Sequence, residues 1–174
     1  ASLEGGVKVV AITSAMARDG KSSIALSLAR VTALAGRKAI ILDCDLRRRS
    51  LNHMLCIEPR AGLTEVLRGA LPWRDVTGRD ETSGAHVLPA AEEEVTPEDL
   101  FNSDAMRGLM AELRQAYDLV ILDCAPVLTL ADVRDLAAIA DGVVVVARRN
   151  QTEILALQTA LNELKVVGAN ILGV

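Results

Sequence analysis

The feature of this chain that most constrains its fold is a strand, a glycine-bearing loop and a helix that follow one another near its start. Residues 7–13 are mostly apolar, residues 15–23 read AMARDGKSS, and apolar residues then recur at helical spacing up to Gly36. The backbone N–H groups of such a loop, together with the positive end of the helix dipole, can surround a phosphate group. The segment therefore predicts a nucleotide-phosphate site at the carboxyl end of a β-strand.

Three side chains of this loop carry specific expectations. Lys21 should reach the β- and γ-phosphates, the Ser22 hydroxyl should bind Mg²⁺, and Ser23 should contact the α-phosphate. Ala15 stands where the pattern G-x-x-x-x-G-K-[ST] has its first glycine, so the loop alone could also be an ordinary turn before a helix. The residues predicted to hold the nucleotide are Ala15, Ala17, Arg18, Asp19, Gly20, Lys21, Ser22 and Ser23.

Two further apolar runs end in aspartate. Residues 38–43 lead into Asp43 and Asp45, and residues 119–123 end at Asp123. Because the carboxyl ends of parallel strands share one edge of a sheet, these carboxylates should converge on the loop. Each aspartate taken alone could instead cap a helix or close a turn. With the loop, they predict a phosphate and magnesium site.

Two arginines near the predicted strand ends have two readings each. Arg148 follows the apolar run 142–147, where it could contact the base or ribose of the nucleotide or simply face water. Arg47 opens the run Arg47-Arg48-Arg49, which could be a solvated face or could bridge to a phosphate or a neighbouring subunit.

The whole chain fits one α/β domain. Its 174 residues are 51% hydrophobic with a mean hydropathy of +0.29, enough to fill a sheet that is buried on both faces. Strand-like runs alternate with helical patterns, which predicts a doubly wound, mostly parallel sheet with helices on both faces over residues 1–174. The predicted strands are 7–13, 38–43, 86–89, 119–123, 142–147 and 171–174.

Charge and cysteine content exclude some classes of protein. The formal net charge of -4 gives no reason to expect a nucleic-acid-binding surface. No apolar run approaches the ~18 residues of a membrane span, and no signal segment precedes the first strand. Cys44, Cys56 and Cys124 lack paired metal-ligand spacing, so reduced thiols in a cytosolic protein are expected.

Several helix ends can also be predicted. Ser103 should cap the helix that begins at Asp104, and Thr152 should cap the helix 153–166. Asp132 could couple the nucleotide state to a moving loop or cap the helix that follows Asp123, and the cap is the expectation. In the last helix Ile154, Leu157, Leu161 and Leu164 form one predicted core stripe. The least regular stretch is 69–97, in which Glu92-Glu93-Glu94 is expected to be a solvated loop.

The three motifs resemble those of the bacterial tyrosine kinases of capsule and exopolysaccharide synthesis, the cytoplasmic domains of polysaccharide co-polymerases. The resemblance spans nearly the whole chain and implies a P-loop NTPase-like fold that uses ATP/ADP and Mg²⁺. By this resemblance Lys21, Asp43, Asp45 and Asp123 are catalytic, and Ser22, Asp45 and Asp123 position the metal. Because a tyrosine hydroxyl is protonated at neutral pH, Asp43 is the candidate base.

The same resemblance implies a membrane-spanning co-polymerase region as partner, a homo-oligomer, a tyrosine-rich tail as substrate and a place at the cytoplasmic face of the bacterial inner membrane. The chain has one tyrosine, Tyr117, which precedes a strand and should be packed. It also lacks the tail and the assembly helix of the family, so a core fragment of a longer protein is expected. Cys124-Ala125 replaces the usual Thr-Pro, which could loosen that turn.

Two alternative functions remain at this stage. One is an ATP-dependent assembly scaffold of the same export system that does not transfer phosphate. The other is a partitioning ATPase of the ParA or MinD kind, whose loop carries a lysine where this chain has Met16.

Overall fold

The structure is a computed structural model that describes residues 6–91, 100–129 and 131–174. A seven-stranded sheet forms its centre, with the strand order β3-β4-β2-β5-β1-β6-β7. Every pairing is parallel except that of β3 with β4. The strands are β1 (Val9–Ser14), β2 (Ala39–Asp43), β3 (Gly78–Arg79), β4 (His86–Leu88), β5 (Leu119–Asp123), β6 (Gly142–Val146) and β7 (Ile171–Gly173).

Helices cover both faces of this sheet, as the apolar strands require. Buried side chains of α1 and α2 pack on one face, and those of α3 to α7 pack on the other. The doubly wound, mostly parallel fold is thus confirmed. The helices are α1 (Lys21–Leu34), α2 (Ser50–Leu55), α3 (Leu63–Leu67), α4 (Trp73–Val76), α5 (Asp104–Ala116), α6 (Asp132–Ile139) and α7 (Ile154–Val166).

The predicted strands and the first helix agree with the structure to within two residues. α1 ends just before Gly36, whose φ of 78° lies in the left-handed region that favours glycine. The cap at Ser103 is also confirmed, since its Oγ accepts a hydrogen bond from the Met106 N–H at 3.1 Å. Tyr117 is 6% exposed, as expected for a packed side chain.

Two expectations about helix caps, and one about the core stripe of α7, were wrong. Asp132 is the first residue of α6 and follows the cap position, which Ala131 occupies. Thr152 stands one residue before the cap of α7, and its hydroxyl bonds elsewhere. Ile154 is 75% exposed because it lies at the first turn of α7, beyond the reach of the core, whereas Leu157, Leu161 and Leu164 do pack inward.

The stretch 69–97 contains more regular structure than its sequence suggested, because α4 and the antiparallel β3–β4 pair lie within it. The acidic run at 92–94 lies outside the described residues. Within the described part of the chain, no helix has both the length and the apolar character needed to cross a membrane.

Candidate phosphate and metal site

The topology brings the loop and the aspartates together. β5 lies between β1 and β2, so Asp123 is the register partner of Ile12 on one side and of Asp43 on the other. The Cys124 N–H donates to the Ile12 carbonyl at 2.9 Å, and the Cys44 N–H donates to the Asp123 carbonyl at 3.0 Å. All three segments therefore end at the same edge of the sheet, as predicted.

Lys21 lies at the centre of this edge. It is 5% exposed, and its Nζ stands 2.9 Å from Asp45 Oδ2 and 3.2 Å from Asp123 Oδ1. Burial alone would lower the pKa of Lys21, but the two carboxylates outweigh burial and raise the pKa above its usual value. The ammonium therefore stays charged at neutral pH, as a phosphate ligand must.

Asp43 and Asp123 are fully buried acids. Burial raises the pKa of Asp43 well above its usual value, and the nearby Asp123 and Asp45 carboxylates add to the rise. Burial also raises the pKa of Asp123, although Lys21 opposes this. The Oδ2 atoms of Asp43 and Asp123 have no hydrogen-bond partner among the described residues. Buried carboxylate oxygens of this kind are costly unless a cation or a proton satisfies them.

The backbone of the loop has the conformation expected of an anion cradle. Arg18 and Gly20 have φ values of 72° and 96°, so the chain turns sharply before α1 begins at Lys21. A left-handed residue is strained unless it is glycine, which explains Gly20. The N-terminus of α1 thus points into the loop, where its unpaired N–H groups favour an anion.

The side chain of Asp19 holds the loop from outside. Its Oδ2 accepts from the Met16 N–H at 3.1 Å, and its Oδ1 accepts from the Thr152 hydroxyl at 2.8 Å. The same Thr152 oxygen accepts from the Arg148 N–H at 2.7 Å. This tether joins the loop to the segment after β6. Sequence reasoning missed it because 133 residues separate Asp19 from Thr152.

A cleft of about 400 Å³ opens over the loop. Arg148 lines it, so the structure places this predicted residue beside the loop, whereas Arg47 is exposed and lies outside the cleft. Ala15 and Asp19 do not line it, since Ala15 is fully buried under the loop. The lining residues are Ala17, Arg18, Gly20, Lys21, Ser22, Ser23, Arg48, Ser50, His53, Met54 and Arg148.

Helix α2 supplies the lining residues that sequence reasoning missed, among them His53. This helix has only six residues and no side-chain cap, so no helical signal marks it. Two larger clefts, of about 670 and 750 Å³, lie beside the turn 56–59. Neither is lined by Gly20 or Lys21, so the smaller cleft is the candidate site.

The donor set fits a magnesium ion. Ser22 Oγ and Asp123 Oδ1 each lie 3.2 Å from Lys21 Nζ, and Asp123 Oδ2 has no hydrogen-bond partner among the described residues. Among the described residues, no three His, Cys, Asp or Glu side chains form a metal cage. Mg²⁺ in phosphate sites needs no such cage, because one or two protein oxygens, water and phosphate oxygens complete its shell.

The cysteines next to the aspartates are free and buried. Burial raises the pKa of both the Cys44 and the Cys124 thiol, so neither is a reactive thiolate. The turn after Asp123 is held firmly in spite of Cys124-Ala125, since the Thr13 hydroxyl donates to the Ala125 carbonyl at 2.7 Å.

Comparison with known proteins identifies the family of the chain. The AAA domain family matches residues 7–171. The chain is 31% identical to the succinoglycan biosynthesis transport protein ExoP of Rhizobium meliloti, over 96% of this chain and 22% of that protein. It is 35% identical to the tyrosine-protein kinase YwqD of Bacillus subtilis, over 88% of this chain and 65% of YwqD. The chain thus spans between about a fifth and two thirds of these relatives.

A solved structure agrees closely with the fold. The VpsO kinase domain superposes with a TM-score of 0.91 and 31% identity, covering 96% of this chain and 82% of that one. From the loop, the strand-end aspartates and these matches together, we conclude that the chain belongs to the AAA domain family, in the group that contains the bacterial tyrosine kinase domains.

Proposed function

We propose that this chain is the ATP- and Mg²⁺-dependent tyrosine kinase domain of a polysaccharide export system. The observation that carries the proposal is the meeting of Lys21 with Asp45 and Asp123 at 2.9 and 3.2 Å, at the N-terminus of a helix. A buried cation with oxygen ligands beside it, at the N-terminus of a helix that lines a cleft, supplies parts that phosphoryl transfer requires.

The residues of the loop would bind and position the triphosphate. Lys21 exchanges its carboxylate partners for phosphate oxygens, while the N–H groups from Ala17 to Ser23 surround the phosphates. Arg148 and His53 line the same cleft, where Arg148 would contact the base or ribose. Ser22 and Asp123, with Asp45, would hold Mg²⁺, which neutralises charge on the phosphate oxygens.

Asp43 would act as the general base. Its raised pKa makes it a stronger proton acceptor than an exposed carboxylate, and its Oδ2 is not committed to any described residue. It would hold the proton that the tyrosine hydroxyl loses during transfer. Asp45 is less suited to this role, because its Oδ2 pairs with Lys21 and its Oδ1 accepts from the Arg48 N–H.

The substrate would be a tyrosine outside this chain. Tyr117 is the one tyrosine of the sequence, and its side chain is buried far along the sheet from Lys21. A tyrosine-rich tail, presented by a neighbouring subunit at the cytoplasmic face of the inner membrane, fits this requirement. The membrane-spanning co-polymerase region would bring the subunits together and raise the effective concentration of the tails.

A transfer assay tests the proposal. The protein is incubated with ATP, Mg²⁺ and a tyrosine-rich tail peptide, and phosphotyrosine is measured by mass spectrometry. We expect phosphorylation in the wild type and none above background in Lys21→Met, with ADP binding strongly weakened in calorimetry. Exposed Lys165→Met serves as the matched control and should behave as the wild type. Tight nucleotide binding without any transfer would instead identify the chain as an assembly scaffold.

A further inference from the structure

A further cavity lies at the edge of the sheet opposite the candidate phosphate site. It has a volume of about 400 Å³ and is formed by Arg37, Lys38, Arg79, Gly84, His86 and Tyr117; we call it the amino-edge cavity. Lys38 precedes β2, His86 begins β4 and Tyr117 precedes β5. The five residues of β2 therefore separate it from Asp43 by on the order of 17 Å.

The amino-edge cavity is strongly positive in a protein of net charge -4. Arg37, Lys38 and Arg79 line it, and no aspartate or glutamate among the described residues does. None of these three cations forms a salt bridge within the described part of the chain. Three unpaired cations around one concavity repel one another, and an anion relieves that repulsion.

Two carboxylates adjacent in sequence to lining residues, Asp80 and Asp118, are hydrogen-bonded to other groups. Asp118 Oδ2 accepts from the Lys38 backbone N–H at 2.8 Å. Asp80 accepts two hydrogen bonds from Arg30, at 2.8 and 3.0 Å, and one from the Ser83 hydroxyl at 2.7 Å. The charge of the three cations is therefore available to a ligand.

Arg79 lines the cavity from strand β3. Arg79 pairs with His86 in the antiparallel β3–β4 register, and its charge lowers the pKa of His86 in addition to the effect of burial. Gly84 has a φ of 77°, which favours glycine in this turn, and an added Cβ would meet Arg79 Nη2 at an ordinary contact distance of 3.5 Å. The planar fork of the Arg79 guanidinium suits phosphate oxygens.

Two aromatic side chains that contact each other, His86 and Tyr117, line part of the cavity. Tyr117 Oη lies 2.5 Å from His86 Nδ1, and the two rings meet edge to face with their centroids 5.4 Å apart. The ring of Trp73 also packs against that of Tyr117, with ring centroids 6.0 Å apart. Small side chains, Ala33, Ala39 and Ala116, form other parts of the lining. A flat or apolar group can therefore rest inside.

The size of the cavity indicates what the ligand carries. A volume of about 400 Å³ exceeds that of roughly ten water molecules at ~30 Å³ each, so a phosphate group alone does not fill it. We propose that the amino-edge cavity binds a phosphate monoester, with the phosphate between Arg37, Lys38 and Arg79 and the group that bears it against Tyr117. This proposal does not depend on the proposed kinase activity.

Two sources of a phosphate monoester can be distinguished by the probe used. ¹⁵N-labelled protein is titrated separately with phenyl phosphate, which represents a phosphotyrosine side chain, with glucose 1-phosphate and with inorganic phosphate. We expect the backbone amide signals of Lys38, Gly84 and Tyr117 to shift, with a Kd in the millimolar range or tighter for the better ester. The ester that binds more tightly identifies the source, and inorganic phosphate should bind several-fold more weakly than that ester.

Arg79→Gln tests the site and Arg60→Gln is its matched control, since Arg60 is exposed and lines neither cavity. Both positions are on the surface, so the spectra should show a folded protein. We expect Arg79→Gln to weaken binding about fivefold to tenfold and Arg60→Gln to leave it unchanged. Three results would overturn the proposal: shifts confined to residues 18–23, equal losses in both variants, or no shift at about 10 mM ester. If inorganic phosphate bound as tightly as the better ester, the group that bears the phosphate would have no role in binding, which contradicts the proposal.

Discussion

Asp43 and Asp123 are register partners at the carboxyl ends of β2 and β5, and both carboxylates are fully buried. The Asp123 carboxylate raises the pKa of Asp43 beyond the effect of burial, so ionisation of Asp43 destabilises the fold. Buried acids that cost folding stability in this way are typical of functional sites. The first prediction concerns the folding stability that the protein loses when Asp43 is ionised.

Asp43→Asn should stabilise the nucleotide-free protein at neutral pH. Folding raises the pKa of Asp43, so the contribution of this group to stability is present below the unfolded pKa and is lost as the pH rises through the folded pKa. The amide removes that loss, which should increase the free energy of unfolding by on the order of 1 kcal/mol at pH 7. Urea denaturation at pH 7 measures it. Glu81→Gln, an exposed carboxylate, should change stability by less.

Substitutions of the same two aspartates should have different effects on the kinetics of phosphoryl transfer. Asp43→Asn should lower the rate of phosphoryl transfer by a factor of about 10² to 10⁴, because the general base is lost, while nucleotide binding largely survives. Asp123→Asn should instead raise the Mg²⁺ concentration needed for half-maximal activity. Steady-state rates measured across a Mg²⁺ titration distinguish the two effects. A wild-type rate in Asp43→Asn at saturating Mg²⁺ would move the base to Asp45.

Thr152→Val should weaken nucleotide binding without contacting the nucleotide. The hydroxyl joins Asp19 Oδ1 to the Arg148 N–H, and valine keeps its shape but removes both hydrogen bonds. A looser loop loses preorganisation, so we expect affinity for ADP to fall about threefold to tenfold in calorimetry. Thr159→Val is the matched control, because that hydroxyl bonds only the Leu155 carbonyl on an exposed helix face. If the two variants bind ADP equally, the tether does not hold the loop.

Much of this site could be predicted from the sequence, and the reasons are local. The Lys21, Asp43 and Asp123 positions each follow an apolar run, and the geometry of parallel strands then dictates that they meet. The contact of Thr152 with Asp19 could not be predicted, since it depends on how two distant loops pack. His53 was also missed, because α2 begins after Arg49 in a left-handed conformation with no capping side chain.

The fold shows the same division. The buried strands were predicted because they are apolar on both faces, whereas β3 consists of two exposed residues and carries no such pattern. Its place is set by the antiparallel pairing of Arg79 with His86 and by the turn that Asp80 closes with Ser83. The amino-edge cavity therefore could not be seen in the sequence, although Lys38 and Tyr117 could both be placed at strand starts.

Asp141→Asn should destabilise the protein in a pH-dependent way. The Arg114 guanidinium beside Asp141, with help from the Val9 and Lys8 N–H groups, holds the pKa of this carboxyl at about 2. A depressed pKa gives stability that is present above the unfolded value and is lost as the pH falls through about 2. We expect a loss of about 1 kcal/mol at pH 7, after allowing for solvent screening of this half-buried pair.

Thermal unfolding from pH 7 down to pH 2 measures this effect, and the difference between wild type and Asp141→Asn should shrink toward pH 2. Asp104→Asn removes the carboxylate of an exposed pair with Arg107 and should cost no more than a few tenths of a kcal/mol. A constant difference between wild type and Asp141→Asn across the whole range would show that the lost interaction does not depend on the charge of Asp141.

The last prediction concerns which tyrosine receives phosphate. Tyr117 is 6% exposed, its hydroxyl is bonded to His86, and it lies at the edge of the sheet opposite Lys21. It therefore cannot reach the loop of its own chain or of a neighbour without local unfolding.

We expect this chain, incubated alone with ATP and Mg²⁺, to be a poor autokinase. Fusion to a tyrosine-rich tail and to the cytoplasmic end of a membrane partner should raise phosphorylation steeply. Mass spectrometry should find phosphate on tail tyrosines and little on Tyr117, and Tyr117→Phe should leave the fused protein as active as before. Heavy labelling of Tyr117 in the unfused chain would contradict this, since it would require the buried hydroxyl to be exposed to the site.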